Sequence, residues 1–286
     1  AQILGANMGF PFEHKPSAAQ WVSDLPAGFK GPAPVDDDYY YEIVALRAFE
    51  KYGPRLTIQQ LGAQWREDGA GSWGSSEQAR LLMQRGVQPP DTGHPRFNRL
   101  WFTIGPQFSS DIYGMLAPGN PALAARLARY YGRINGYAEA VDGAVFVASM
   151  VSLAYSETDP KIVVEKAAGY LDGRSPFRQA LNQVLTLAKA GKSPRDIANA
   201  VEDRWQIEYP ATNNAVANGA LLALSVYFGE GDFLKTVNLA FSAADFTDAD
   251  CNAASAAAVV GALRGMRALP PALVERLQNR ITGSRM

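Results

Sequence analysis

The chain has 286 residues, with 27 Lys+Arg against 28 Asp+Glu, 47% apolar residues, two histidines and one cysteine. One cysteine excludes an internal disulfide and a Cys-based zinc site, and two histidines argue against a His-rich metal centre. A net charge of −1 gives no electrostatic pull toward nucleic acid or an anionic membrane. The chemistry must therefore come mainly from carboxylates, hydroxyls, amides and backbone.

The length suffices for one large domain or two small ones with a sizeable core. Ala1–Gly9 lacks the basic start and the long apolar run of a signal peptide. Residue 1 is Ala, not Met, so a product whose leader is gone and a trimmed chain both stay open, as do export and a cytoplasmic location. From there the helical period dominates. Asp36–Tyr52 opens after Pro34-Val35 and stops before Gly53-Pro54. Thr57–Arg66 starts on a threonine N-cap, and Ser75–Gln84 closes at Gly86. Gln88–Arg99, rich in Pro, Gly, Asp and Asn, reads as a long ordered loop. Asn120-Pro121 opens a helix through Ala122–Tyr131. Further helices are expected at Ala138–Tyr155, Pro160–Leu171, Ser175–Ala190, Ser193–Trp205, Asn214–Phe228, Asp232–Ala243, Asn252–Met266 and Pro271–Ile281. The most apolar stretches, Ala140–Tyr155 and Ala215–Phe228, fall short of the roughly 20 apolar residues of a membrane span and read as buried core helices. Strand-like alternation, repeats and low-complexity linkers are not evident. The expectation is one all-α domain over residues 1–286.

Two acidic clusters stand at helix starts. Asp36-Asp37-Asp38 reads as an N-cap with solvated neighbours, since a helix N-terminus offers free N–H groups and a favourable dipole. Asp245, Asp248 and Asp250 precede a helix nearly devoid of charge, and unpaired buried acids need cations. Asp248 and Asp250, two residues apart, would point the same way from an extended turn. Oxygen-only ligands select Mg²⁺, Mn²⁺ or Ca²⁺ over zinc. The two clusters either meet around one or two such ions or remain separate caps.

At these residues the sequence resembles the ADP-ribosylglycohydrolase family. Ile3-Leu-Gly-Ala-Asn-Met-Gly-Phe-Pro-Phe-Glu13 looks like its first helix and following loop. Asp36-Asp37-Asp38-Tyr39 looks like its Thr-Asp-Asp-Thr motif. Asp111-Ile-Tyr-Gly-Met-Leu-Ala-Pro-Gly-Asn-Pro121 and Gly143-Ala-Val-Phe-Val-Ala148 look like its central segments. Gly229-Glu-Gly-Asp-Phe233 and Asp248-Ala-Asp-Cys-Asn-Ala253 look like its C-terminal signature. The resemblance implies an all-α orthogonal bundle with a Mg²⁺ site, usually binuclear, and hydrolysis at the anomeric carbon of ADP-ribose. By position it implies metal ligation by Asp36, Asp37, Asp38, Asp248, Asp250 and Cys251, and a catalytic role for Glu13. A divalent ion can hold a ribose diol, a carboxylate can orient water, and carboxylates stabilise an oxocarbenium-like transition state.

The chain departs from the pattern at Asp36, Tyr39 and Ala249, and at Cys251, where Thr is usual. Thiol sulfur is a poor Mg²⁺ ligand. Asp111 stands where relatives have a Gly-rich diphosphate cradle, which favours a ligand without that group; Asp111 is read as a sugar-binding or acid–base residue, or else as a plain N-cap. Phe12 and Trp73 are candidate stacking residues, although aromatics are more often core, and Asn214 is a candidate cleft residue or a plain N-cap. The expected function is a metal-dependent glycoside hydrolase in which Asp37 contributes both to the metal site and to catalysis. Its partner would be a small-molecule, glycan or ADP-ribosylated substrate, with no nucleic acid and no membrane. Two alternatives stay open: a hydrolase of a non-nucleotide furanoside, and a non-catalytic sugar-binding relative.

Overall fold

The computed structural model describes residues 1–68 and 71–282, and these form helices joined by loops, with only two isolated bridges, Ala33 with Ile281 and Thr103 with Asn214. In chain order the helices are α1 (Gln2–Gly9), α2 (Asp37–Tyr52), α3 (Ile58–Glu67), α4 (Gly74–Gln84), α5 (Gly105–Phe108), α6 (Asp111–Met115), α7 (Pro121–Tyr131) and α8 (Glu139–Ala154). They continue with α9 (Pro160–Ala168), α10 (Pro176–Lys189), α11 (Pro194–Val201), α12 (Ala215–Gly229), α13 (Phe233–Ser242), α14 (Ala249–Arg264) and α15 (Pro271–Arg276). No helix among the described residues is long and apolar enough to cross a membrane.

The two stretches read as core helices are α8 and α12, buried at almost every position. A helix apolar all round needs cover on all sides. Here α5, α6, α7 and α9 pack on α8, while α10, α11 and α13 pack on α12, and α14 touches both. The main core holds large buried side chains such as Phe146, Phe177 and Trp205. A second cluster, around Leu4, Met8, Phe233 and Phe241, joins α1, α13 and α14.

Several boundaries differ from the expectation. The helix expected from Asn252 starts at Ala249, with Asp248 as its N-cap residue, so Asp250 sits in the first turn and not on an extended turn. Asp248 keeps non-helical backbone angles, as an N-cap residue does, and its carboxylate lies within 4.8 Å of those of Glu13 and Asp250. The helix expected through Ile281 stops at Arg276: Gln278 and Asn279 take left-handed backbone angles, and Ile281 pairs with Ala33 instead. The helix expected to run to Trp205 passes into a π-helical turn at Glu202–Gln206. The short helix α5 lies where no helix was expected, and α6 starts at Asp111 with Ser110, not Asp111, as its N-cap.

Contact between α1 and α14 positions the site, and it depends on small residues. A Cβ on Gly5 would lie 2.2 Å from the Ala253 carbonyl oxygen, and one on Gly9 would lie 2.6 Å from that of Ala249. The obstruction is backbone, which cannot rotate aside. Gly5→Val is therefore expected to cost about 1–3 kcal/mol through overpacking, read as a lower urea midpoint at unchanged slope. An unchanged midpoint would mean that α1 is free to stand away from α14.

Candidate metal centre and cleft

Two remote stretches are brought together by this packing. The first is the start of α2. Asp36 is its N-cap, and its Oδ1 accepts from Asp38 N at 3.1 Å, so the capping expectation holds for this residue. Asp37 faces the cleft beside it. Asp38 is fully buried beneath, and its carboxylate oxygens meet no N–H or O–H donor among the described residues, only the Cys251 thiol. The second stretch is the start of α14, with Asp248, Asp250 and Cys251. Asp248 Oδ1 is buried without a partner. The loop after α1 adds Glu13.

Ligand atoms of Asp38, Asp250 and Cys251 all lie within 4.8 Å of one another, and so do those of Glu13, Asp248 and Asp250. Asp250 belongs to both groups. Like charges crowded in a buried place resist ionisation. Burial pushes the carboxyls of Asp37, Asp38 and Asp250 well above the usual carboxylate range, and their acidic neighbours push them further. Asp36 and Glu13 are raised too, first by burial. No Lys or Arg among the described residues lines the cavity. Buried carboxylate oxygens that converge without a Lys or Arg partner suit a hard divalent ion. Cys251 fits that ion poorly. Burial and the surrounding acids drive its thiol well above the usual range, so the sulfur sits there as an uncharged S–H beside Asp38.

The acids also make the fold pH-dependent. A carboxyl whose folded pKa is raised contributes stability that is fully present below its unfolded value, about 4. That contribution is lost as pH rises through the folded value. With a chelator present, the melting temperature is therefore expected to fall between pH 5 and pH 8. Excess Mg²⁺ should raise it more at pH 8 than at pH 5, since ligands must be deprotonated to bind metal. Thermal melts across that range check this, and equal Mg²⁺ gains at both pH values would count against a carboxylate site.

Asn218 on α12 supports the second stretch. Its Oδ1 accepts from Asp248 N at 3.1 Å and from Asn252 Nδ2 at 2.8 Å, while its Nδ2 donates to the Thr212 and Asn214 carbonyls. A polar residue inside an apolar helix has to be satisfied, and here that requirement fixes the turn carrying Asp248.

The cavity measures about 540 Å³, within the range of small-molecule sites. Besides the acids it is lined by Phe10, Trp73, Ser75, Thr103 and Asn213, among others. Phe10 and Trp73 are more than half exposed. No side chain caps α4, whose first residues Gly74 and Ser75 line the cavity, and Ser75 Oγ is buried without a partner. An uncapped helix start of this kind favours an anionic group.

Three expected site residues are not brought to the cleft. Phe12 stacks on Phe241, with ring centroids 5.1 Å apart, and belongs to the α1–α13–α14 cluster; Phe10, two residues earlier, lines the cavity instead. Asn214 is fully buried as the N-cap of α12 and donates to Gln206 and Ala211; its neighbour Asn213 faces the cavity. Asp111 is also fully buried. It accepts from Gln2 Nε2 at 3.1 Å and from Ser255 Oγ at 3.2 Å, and it shares a hydrogen bond with Glu42. Burial raises its pKa to about 7, and it is not among the residues that line the cavity. Trp73 does line the cavity, as expected.

A family profile described as ADP-ribosylglycohydrolase matches residues 1–285. A solved structure described as an ADP-ribosylglycohydrolase-related protein complex shares the fold. It has a TM-score of 0.67 and 19% identity, over 96% of this chain and 89% of that one. No curated protein matches the sequence.

Proposed function

The chain belongs to the ADP-ribosylglycohydrolase family, and from that premise we propose that it is a divalent-metal-dependent hydrolase of a glycosidic bond at the anomeric carbon of an ADP-ribosyl unit. The observation that carries the reading is one cavity with two chemistries. The acids of α2, α14 and the Glu13 loop meet in it, and the uncapped start of α4 opens into it. A ribose diol suits the first and a diphosphate suits the second. Phe10 and Trp73 offer faces to sugar or base.

Asp38, Asp248 and Asp250 would hold the ion, with Asp36 and Asp37 beside them. When bound, the ion supplies Lewis-acid charge next to the sugar hydroxyls. The remaining steps fall to the chain. Glu13 Oε accepts a proton from the attacking water, whose oxygen bonds to the anomeric carbon as the glycosidic bond breaks. The proton passes on to the leaving group. The carboxylates stabilise positive charge developing on the sugar ring.

The test is a substrate panel with Mg²⁺, Mn²⁺, Ca²⁺ or a chelator, in which free ADP-ribose and neutral furanoside products are measured side by side. Metal-dependent release of ADP-ribose is expected. Turnover of neutral furanosides alone would replace this reading with the non-nucleotide one.

A further inference from the structure

The loop carrying Glu13 and the segment leading to Asp248 are laced together. His14 N donates to Thr247 O at 2.8 Å, Phe246 N to Lys15 O at 2.8 Å, and Ala18 N to Phe241 O at 2.9 Å. A fourth bond involves a side chain: Ser17 N donates to Asp245 Oδ1 at 2.7 Å. Asp245 was grouped with the acids of α14 on sequence, yet it is not among the cavity lining and belongs to neither cluster of converging ligand atoms. Its bonds lead elsewhere. Its second oxygen faces Arg195 Nη2 at 3.6 Å, and its own N–H donates to Glu202 at 3.1 Å. Arg195 also donates to Ala243 O at 3.0 Å. Asp245 thus ties together the Glu13 loop, the approach to Asp248, and α11 with its π-helical turn.

Both laced segments are strained at the crossing. His14 has φ 54° and Phe246 φ 51°, in a region that side chains disfavour and that persists where surrounding contacts over-determine the backbone. These two residues are themselves donors across the pair. Phe12 and Ala18 seat the loop on the α1–α13–α14 cluster, and the crossing is a second anchor beside that packing. Its effect is to hold Glu13 within reach of Asp248 and Asp250.

We propose that Asp245 is a positioning residue, whose carboxylate holds the Ser17 amide and so fixes the Glu13 loop against the segment carrying Asp248. The proposal rests on the hydrolytic reading above. Asp245→Ala removes the acceptor. Asp245→Asn keeps an oxygen for Ser17 and gives up the charge facing Arg195.

The experiment uses the full chain with Mg²⁺ and measures steady-state kinetics together with amide hydrogen exchange. Asp245→Ala is expected to lower kcat by about tenfold, as misplaced catalytic groups do, with KM little changed. Amides of residues 14–18 and 245–247 should exchange faster in this variant, while those of α12 keep their protection. Asp245→Asn should restore both kcat and protection. Wild-type kcat in Asp245→Ala, or Asp245→Asn as impaired as Asp245→Ala, overturns the proposal. If the wild type turns over neither ADP-ribosyl nor furanoside substrates, the hydrolytic reading fails on its own. Exchange then decides: faster exchange in Asp245→Ala, reversed in Asp245→Asn, supports the loop-holding role, and unchanged exchange overturns it.

Discussion

Asp250→Asn is expected to remove divalent-ion binding and, with it, turnover, while making the metal-free protein more stable. Asp250 is the residue common to both groups of converging ligand atoms, so one substitution thins both. Losing the charge stabilisation of a metal costs several kcal/mol in the transition state, a rate loss on the order of a thousandfold or more. The stability effect has the opposite sign. In the metal-free protein Asp250 is buried among Asp38, Asp248, Glu13 and Asp36, which disfavour its charge. An amide of the same shape relieves that repulsion. The melting temperature in chelator at pH 8 should therefore rise above wild type, and the gain on adding Mg²⁺ should vanish. Calorimetric titration with Mg²⁺ and paired melts read both. A variant that still binds Mg²⁺ like wild type would show that the ion is held elsewhere. A variant less stable in chelator would show that Asp250 has a partner doing a cation's work.

The two acid clusters were legible in the sequence because composition and position both marked them. With few histidines and one cysteine, a metal site had to be built from oxygen, and aspartates crowded before an uncharged helix have no cheap way to be buried. Their meeting was carried by the resemblance; periodicity alone could not place α1 and α14 in contact. That contact depends on Gly5 and Gly9 facing alanines, and a stripe of small residues carries no partner's address. Phe12 and Asn214 lie two positions and one position from Phe10 and Asn213, which line the cavity. On a 3₁₀ turn or at a helix start, a shift of that size turns a side chain from the cleft into the core. Asn218 stands out in the sequence as a polar residue in an apolar run, but only the fold shows that its amide reaches Asp248 and Asn252. Asp111 was the most consequential displacement. The case for a ligand without a diphosphate leaned on a carboxylate beside it, and that carboxylate is buried against Gln2, Glu42 and Ser255. With Asp111 off the cleft wall, that argument against a diphosphate lapses. The buried carboxylates of Asp38 and Asp248 bear on the non-catalytic alternative, since buried acids without a cationic partner are destabilising unless an ion is held there.

Glu13→Gln should separate proton work from metal holding. The glutamine keeps an oxygen in place, so Mg²⁺ affinity is expected to fall by no more than about 10–100-fold, the scale on which supporting groups tune a metal site. It cannot accept a proton, so kcat should fall by about 10²–10⁴, the usual contribution of a positioned acid or base. The structure gives Glu13 a setting suited to that role. It is half-buried, its carboxyl is raised by burial and by Asp248, and His14 Nε2 stands 3.3 Å from Oε1. A base with a raised pKa is better matched to proton transfer near neutral pH than an ordinary surface carboxylate. The comparison with Asp250→Asn is the informative one, because each variant removes one negative charge from the same cluster. If the cluster acted only through its summed charge, the two would lose Mg²⁺ affinity and kcat in equal proportion. The geometry predicts otherwise: Asp250→Asn fails at the binding step and Glu13→Gln binds the ion but turns over slowly. Asp245→Ala, which leaves Glu13 intact but loosens its loop, should resemble Glu13→Gln with a smaller loss. An Asp245→Ala variant that instead lost Mg²⁺ as Asp250→Asn does would place the loop's role in holding the ion, not in moving the proton.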